Sequence, residues 1–124
     1  MSETHTVGNL TIEVERDEQV ARLTFLGAID SKEPAVQMEP LLRQIAHSGA
    51  AKQLVMNFRE LSFLNSASIG FLINFIKKMI NDHFSLTICF DESVNWQRVC
   101  GRGMRTIFMR NQQVSVLGGE GSVC

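Results

Sequence analysis

Paired cysteines, clustered histidines, long apolar runs and an excess of one charge are all missing from this 124-residue chain. Its three cysteines, Cys89, Cys100 and Cys124, form no CxxC pair. Their odd number and wide spacing point to reduced thiols. Cys89 lies in the apolar run LTICF and reads as core; Cys124, the last residue, reads as a mobile free thiol. His5, His47 and His83 stand apart from the cysteines and from one another. Structural zinc normally shows paired ligands in sequence, so no metal is expected. Twelve basic residues against thirteen acidic ones leave a net charge of -1. That balance argues against nucleic acid as the main ligand, since such binding rests on clustered Lys and Arg. It also removes the usual basis for a polybasic membrane anchor. The longest apolar stretch, Ser68 to Ile80, is interrupted by Asn74, Lys77 and Lys78 and is too short and polar to insert in a membrane. The opening MSETHTVGNL has neither a basic n-region nor an apolar core, so no signal peptide is expected and the location expected is cytoplasmic. Neither GxxxxGK[ST] nor GxGxxG occurs, and no cofactor is expected.

What remains is one domain's worth of ordinary globular composition, 44% hydrophobic and 20% charged. A chain of this size buries enough surface to fold without a disulfide or metal. Leu10, Ile12 and Val14 alternate with polar residues as on a half-buried strand, and Val20 to Leu26 repeats the pattern after the Asp17-Glu18 turn. The two read as an antiparallel hairpin. Val36, Leu41, Leu42 and Ile45 carry helical spacing, with Pro34 and Pro40 placed before or early in that helix. Gln53 to Phe58 suits a central strand buried on both faces. Ser66 to Asn81 reads as a helix, Phe84 to Phe90 as a strand, Trp96 to Arg110 as a third helix, and Val114 to Leu117 as a last strand. Strands alternating with helices after a hairpin predict an α/β fold: a mixed, mostly parallel sheet opened by an N-terminal β-hairpin, with right-handed crossover helices. The expected divisions are an N-terminal segment 1–9, a domain 10–117 and a flexible tail 118–124.

The most informative stretch runs from Leu54 to Leu72. A buried strand ends, a short loop follows, and a helix opens on Asn65-Ser66, both favoured near a helix N-terminus. Free N–H groups and a partial positive charge gather there, so a phosphate on the Ser66 hydroxyl would be well received. Capping alone is the plainer alternative. On that helix Ile69, Leu72, Ile73, Ile76, Met79 and Ile80 form the expected core stripe. Phe71 and Phe75 flank it, either buried under a neighbouring helix or exposed as an apolar patch for a partner. Trp96, Arg98 and Arg102 fit a helix packing one aromatic, with phosphate or partner recognition as the alternative.

The segment Phe63-Leu64-Asn65-Ser66-Ala67-Ser68-Ile69-Gly70, following the strand Leu54 to Phe58, resembles the serine motif of the STAS domain family. Leu26-Gly27-Ala28-Ile29-Asp30 and Arg105-Thr106-Ile107-Phe108 resemble two further family segments, in the expected order. Asn65 stands where the family has aspartate, Ala67 where it has a second serine, and Ser68 where it has glycine. The resemblance implies a STAS-like fold and a non-catalytic module of the anti-sigma-factor-antagonist type. It implies phosphorylation of Ser66, with Ser68 the acceptor if the alignment slips by two. It implies a partner surface of Asp30, Ser31, Asn65, Ser66, Ala67 and Ser68, to which Phe71 and Phe75 belong if exposed. The implied partners are an anti-sigma factor or related serine kinase, resembling a histidine kinase, and a protein phosphatase; the free hairpin edge offers a route to a dimer. Two alternatives stand beside this one: a constitutive STAS-like subunit of a signalling or lipid-transport assembly, and a small hydrolase using Ser66. No His or Lys lies near Ser66 in sequence to activate it as a nucleophile.

Overall fold

A computed structural model describes residues 2–119. Polar–apolar alternation lays down the first part of the sheet. Strand β2 (Leu10–Arg16) pairs antiparallel with β3 (Val20–Ile29) as the sequence predicts, with Asp17 accepting the backbone N–H groups of Gln19 and Val20 to close the turn. A strand the sequence reading left in the N-terminal segment, β1 (Ser2–Val7), extends this hairpin by pairing with β2. Its residues alternate only between exposed and half-buried, so it carries no hydrophobic signal. A two-residue Gly8-Asn9 loop joins the strands, with Gly8 at φ 57° in the position where a type II′ turn places glycine.

The remaining strands are parallel to β3. Helix α1 (Pro34–His47) leads to β4 (Gln53–Asn57), a short β5 (Leu61–Leu64) follows, and α2 (Ser66–Asn81) leads to β6 (Ser85–Cys89). Helix α3 (Asn95–Ile107) then leads to β7 (Val114–Leu117). The order across the sheet is β1-β2-β3-β4-β6-β7, with β5 beside the end of β3. Right-handed crossovers that all step the same way put their helices on one face. The pleat agrees: Ala21, Leu54, Leu86 and Val114 lie in one cross-strand row, and all join the core with Met38, Leu42, Leu72, Ile76 and Met104 from the helices. The opposite face carries Glu13, Thr24 and Asn57 in a row. Strand β4 is therefore not buried on both sides as expected, since Gln53 is exposed and Asn57 half-buried beside the buried Val55.

Helix α2 corrects the predicted stripe. Its buried residues are Ser68, Phe71, Leu72, Phe75, Ile76 and Met79, while Ile69, Ile73 and Ile80 are only partly covered. The cause is α1, which packs beside it. Lys78 lies three residues beyond Phe75 and seven beyond Phe71, so it shares their side, and it pairs with Glu39 of α1. That side of α2 is thus sealed by α1, and the two rings stack with centroids 6.4 Å apart. Pro40, the seventh residue of α1, withholds the N–H that would reach the Val36 carbonyl, and Val36 lies at an exposed position of the helix. In α3, Gly101 permits a close approach, because a Cβ there would sit 3.1 Å from the Phe90 ring. Trp96 packs partly buried against the core, and Arg98 donates to Asn95 within its own helix.

Cys89 is fully buried and disulfide-bonded, not the reduced thiol expected. Cys100 is a free thiol whose pKa burial pushes up to about 11. Residues 120–124 of the expected tail, Cys124 among them, lie outside the described residues. Among the described residues no helix is long and apolar enough to cross a membrane.

Candidate functional site

The site is assembled at the C-terminal ends of the parallel strands, where loops and helix N-termini meet. Its floor is a column of aromatic rings. Phe25 stacks on Phe58 at 4.5 Å and Phe58 on Phe90 at 5.4 Å, and all three are buried. Above them β3 bends. Gly27 has φ 87°, and a Cβ there would lie 2.3 Å from the Asn9 carbonyl oxygen, so only glycine lets β3 turn against the β1–β2 loop. The register shifts at Gly27/Ala28, and β3 changes partner from β4 to β5.

Strand β5 lies where the sequence predicts a loop, because its four residues, Leu-Ser-Phe-Leu, lack a strand's length of alternation. Tertiary bonds hold it. The buried Gln97 of α3 donates to the carbonyls of Leu61 at 3.2 Å and Arg59 at 3.3 Å, and accepts the N–H of Asp91 at 2.7 Å. Ser62 Oγ donates to the Gly27 carbonyl at 2.6 Å. Phe63 is 50% exposed on this short strand. It is a large apolar side chain three residues before Ser66 in the sequence, on a strand that no local pattern signals.

Asn65 is the N-cap of α2, with extended backbone. Its Oδ1 accepts the N–H of Ser68 at 2.9 Å, its Nδ2 donates to the Ser31 carbonyl at 2.8 Å, and its own N–H donates to the Ile29 carbonyl at 3.1 Å. One side chain therefore caps the helix and holds the loop after β3. The Ser31 hydroxyl accepts the Glu33 N–H at 3.1 Å, and the exposed Asp30 carboxylate accepts from Asn9 Nδ2 at 2.9 Å. The structure thus brings Asp30, Ser31, Asn65, Ser66 and Ala67 to one end of the molecule.

Ser66 is the first residue of α2 and is exposed. No acid occupies the helix's first turn, so its partial positive charge is not neutralised there. Ala67 is exposed beside it. Ser68 faces the opposite way, is fully buried, and its hydroxyl has no hydrogen-bond partner among the described residues. Its hydroxyl is thus turned into the core, whereas Ser66 faces solvent. Phe71 and Phe75, 7% and 1% exposed, lie beneath α1 and present no patch to a partner. The histidines make their bonds with other groups. His47 meets Asp82 at the C-cap of α2, His83 follows that cap, and His5 bonds Glu3 on β1.

No family model matches the sequence, and no curated protein matches it either. Solved structures do. The anti-sigma factor antagonist SpoIIAA, in its unphosphorylated form, superposes with a TM-score of 0.59 at 13% identity, over 90% of this chain and 89% of that one. An anti-sigma factor antagonist from Mycobacterium paratuberculosis also gives 0.59, at 16% identity, over 88% of this chain and 85% of that one. The fold is STAS-like. The mixed sheet, the N-terminal hairpin and the crossover helices agree with the architecture read from sequence.

Proposed function

We propose that this chain is a non-catalytic regulatory binding module of the anti-sigma-factor-antagonist kind, working in the cytoplasm and switched by phosphorylation of Ser66. One observation carries the reading: Ser66 is exposed as the first residue of α2, whose first turn holds no acid, with Ala67 exposed beside it. Its structural neighbours are described as anti-sigma factor antagonists, one of them in an unphosphorylated form. In the unmodified state Phe63 supplies an apolar anchor, with Ala67 offering close approach beside it. The partner is an anti-sigma factor or related serine kinase that resembles a histidine kinase. That kinase transfers the terminal phosphoryl of ATP to Ser66 Oγ: the O–H bond gives way to an O–P bond, ADP departs, and the proton passes to solvent.

The product carries nearly two negative charges where there was a neutral hydroxyl. Free N–H groups of the first turn stabilise it within this chain. Across the contact, the same charges must be desolvated, and a loss of about 1.4 kcal/mol already weakens binding tenfold. A protein phosphatase restores the hydroxyl. Phosphate-affinity electrophoresis of the protein from cells tests the reading. A shifted band that disappears in Ser66→Ala is expected. A protein never shifted, yet still bound to its partner, favours the constitutive-subunit reading, which the Asn65 and Ala67 departures support.

A further inference from the structure

At the end of α2 remote from Ser66, about 22 Å along the helix, an open groove of about 560 Å³ lies between the last turn of α2 and the chain leaving α3. Lys77 and Ile80 line one side, with Ile107, Phe108, Arg110 and Asn111 on the other. The size falls in the range that holds ligand groups. Its chemistry is specific. Phe108 is buried and Ile80 half-buried, which gives an apolar floor. Ile107 is 49% exposed, and the adjacent Met109 is 72% exposed. Lys77 and Arg110 are both exposed, and among the described residues neither has an ion-pair partner. Among the described residues no carboxylate lines the groove.

The walls are held in place. Gln113 Nε2 donates to the carbonyls of Phe84 at 2.8 Å and Ile80 at 3.4 Å, which ties the segment before β7 to the end of α2. Asn111 N donates to the Phe108 carbonyl at 2.9 Å, and Asn111 Oδ1 accepts the Gln113 N–H at 2.8 Å. A groove fixed in this way costs little ordering on binding.

We infer that this groove is a second docking site, for an acidic amphipathic peptide segment of another protein. Apolar side chains of that segment would cover Ile80, Ile107 and Phe108, while its carboxylates would meet Lys77 and Arg110. Charge complementarity selects this occupant: two cations without an ion-pair partner among the described residues flank an apolar floor in a chain whose net charge is -1. Two cations are too few for nucleic acid. The site lies apart from Ser66, so one partner can be held here whatever the phosphorylation state of the other end.

The test uses the full chain and a fluorescein-labelled peptide of about 15 residues, with Leu at i, i+3, i+4 and i+7 and Glu at the outward positions. A control peptide carries Lys for Glu. Anisotropy should show saturable binding of the Glu peptide only. Affinity should fall about tenfold in Lys77→Glu/Arg110→Glu, and similarly as salt rises from about 50 mM to about 0.5 M. Amide shifts should centre on Ile80, Ile107 and Asn111 and leave Ser66 unmoved, and Ser66→Asp should bind equally well. Equal binding of both peptides, retained affinity in the double variant, or shifts centred on Ser66 would overturn the proposal. So would a dimer of the chain that the same double variant dissociates, since the occupant would then be a second copy.

Discussion

Asn65 donates its side-chain amide to the Ser31 carbonyl at 2.8 Å while its other side-chain atom caps α2. The Ser66 helix and the loop after β3 are thereby held by one side chain. An aspartate in the same place keeps the cap but cannot donate, and it sets a carboxylate against a carbonyl oxygen. Asn65→Asp should therefore lower stability by about 1–2 kcal/mol, and Asn65→Ala, which loses both bonds, by about 2–3 kcal/mol. Urea denaturation measures both; an Asp variant as stable as wild type contradicts the bridge.

Ser68 shows the opposite situation. Its buried hydroxyl lacks a partner among the described residues, so it adds desolvation cost without a hydrogen bond. Ser68→Ala should raise stability by up to about 1 kcal/mol and leave phosphorylation of the chain intact. Lost phosphorylation in that variant would return Ser68 to the list of acceptors.

Gln97 positions the short strand that carries Phe63. Gln97→Leu keeps volume but leaves the Leu61 and Arg59 carbonyls and the Asp91 N–H without their side-chain partner. The loss should be about 2–4 kcal/mol. Hydrogen exchange at the amides of Ser62 and Phe63 should accelerate more than exchange in β2, a pattern that a uniformly destabilised core would not give.

Acid should loosen β1 first. The Glu3 carboxyl is held below the usual carboxylate range by its hydrogen bond from His5 and then by that from Arg16 at 2.6 Å. A pKa lowered in the folded state contributes stability above the unfolded value of about 4.3, and that contribution is lost as pH falls through the folded value. Exchange at His5 and Val7, whose amides face β2, should therefore rise on acidification below about pH 4, and Glu3→Gln should abolish that dependence. An unchanged profile in Glu3→Gln contradicts the assignment.

Residues whose signals are local were legible. Leu10, Ile12 and Val14 showed their strand through alternation, and Asn65 its helix cap through type and place. Strand β1 was not legible, because no residue in it is buried. Nor was β5, which depends on Gln97, some 36 positions away in sequence. The stripe of α2 was misplaced toward Ile69 and Ile73 because periodicity alone finds the apolar arc; that α1 covers the Phe71–Phe75 side is a tertiary fact. For the same reason Ser66 and Ser68 looked like rival acceptors, whereas the cap geometry turns one outward and the other into the core. The groove beside Lys77 and Arg110 arises from two helix ends far apart in sequence and had no local signature.

The central claim is that Ser66 alone switches binding. Affinity capture from cell extract with wild type, Ser66→Ala and Ser66→Asp, followed by identification of what is retained, tests it most directly. A serine kinase resembling a histidine kinase should be retained by wild type and Ser66→Ala and lost from Ser66→Asp. Equal retention by all three would contradict the claim.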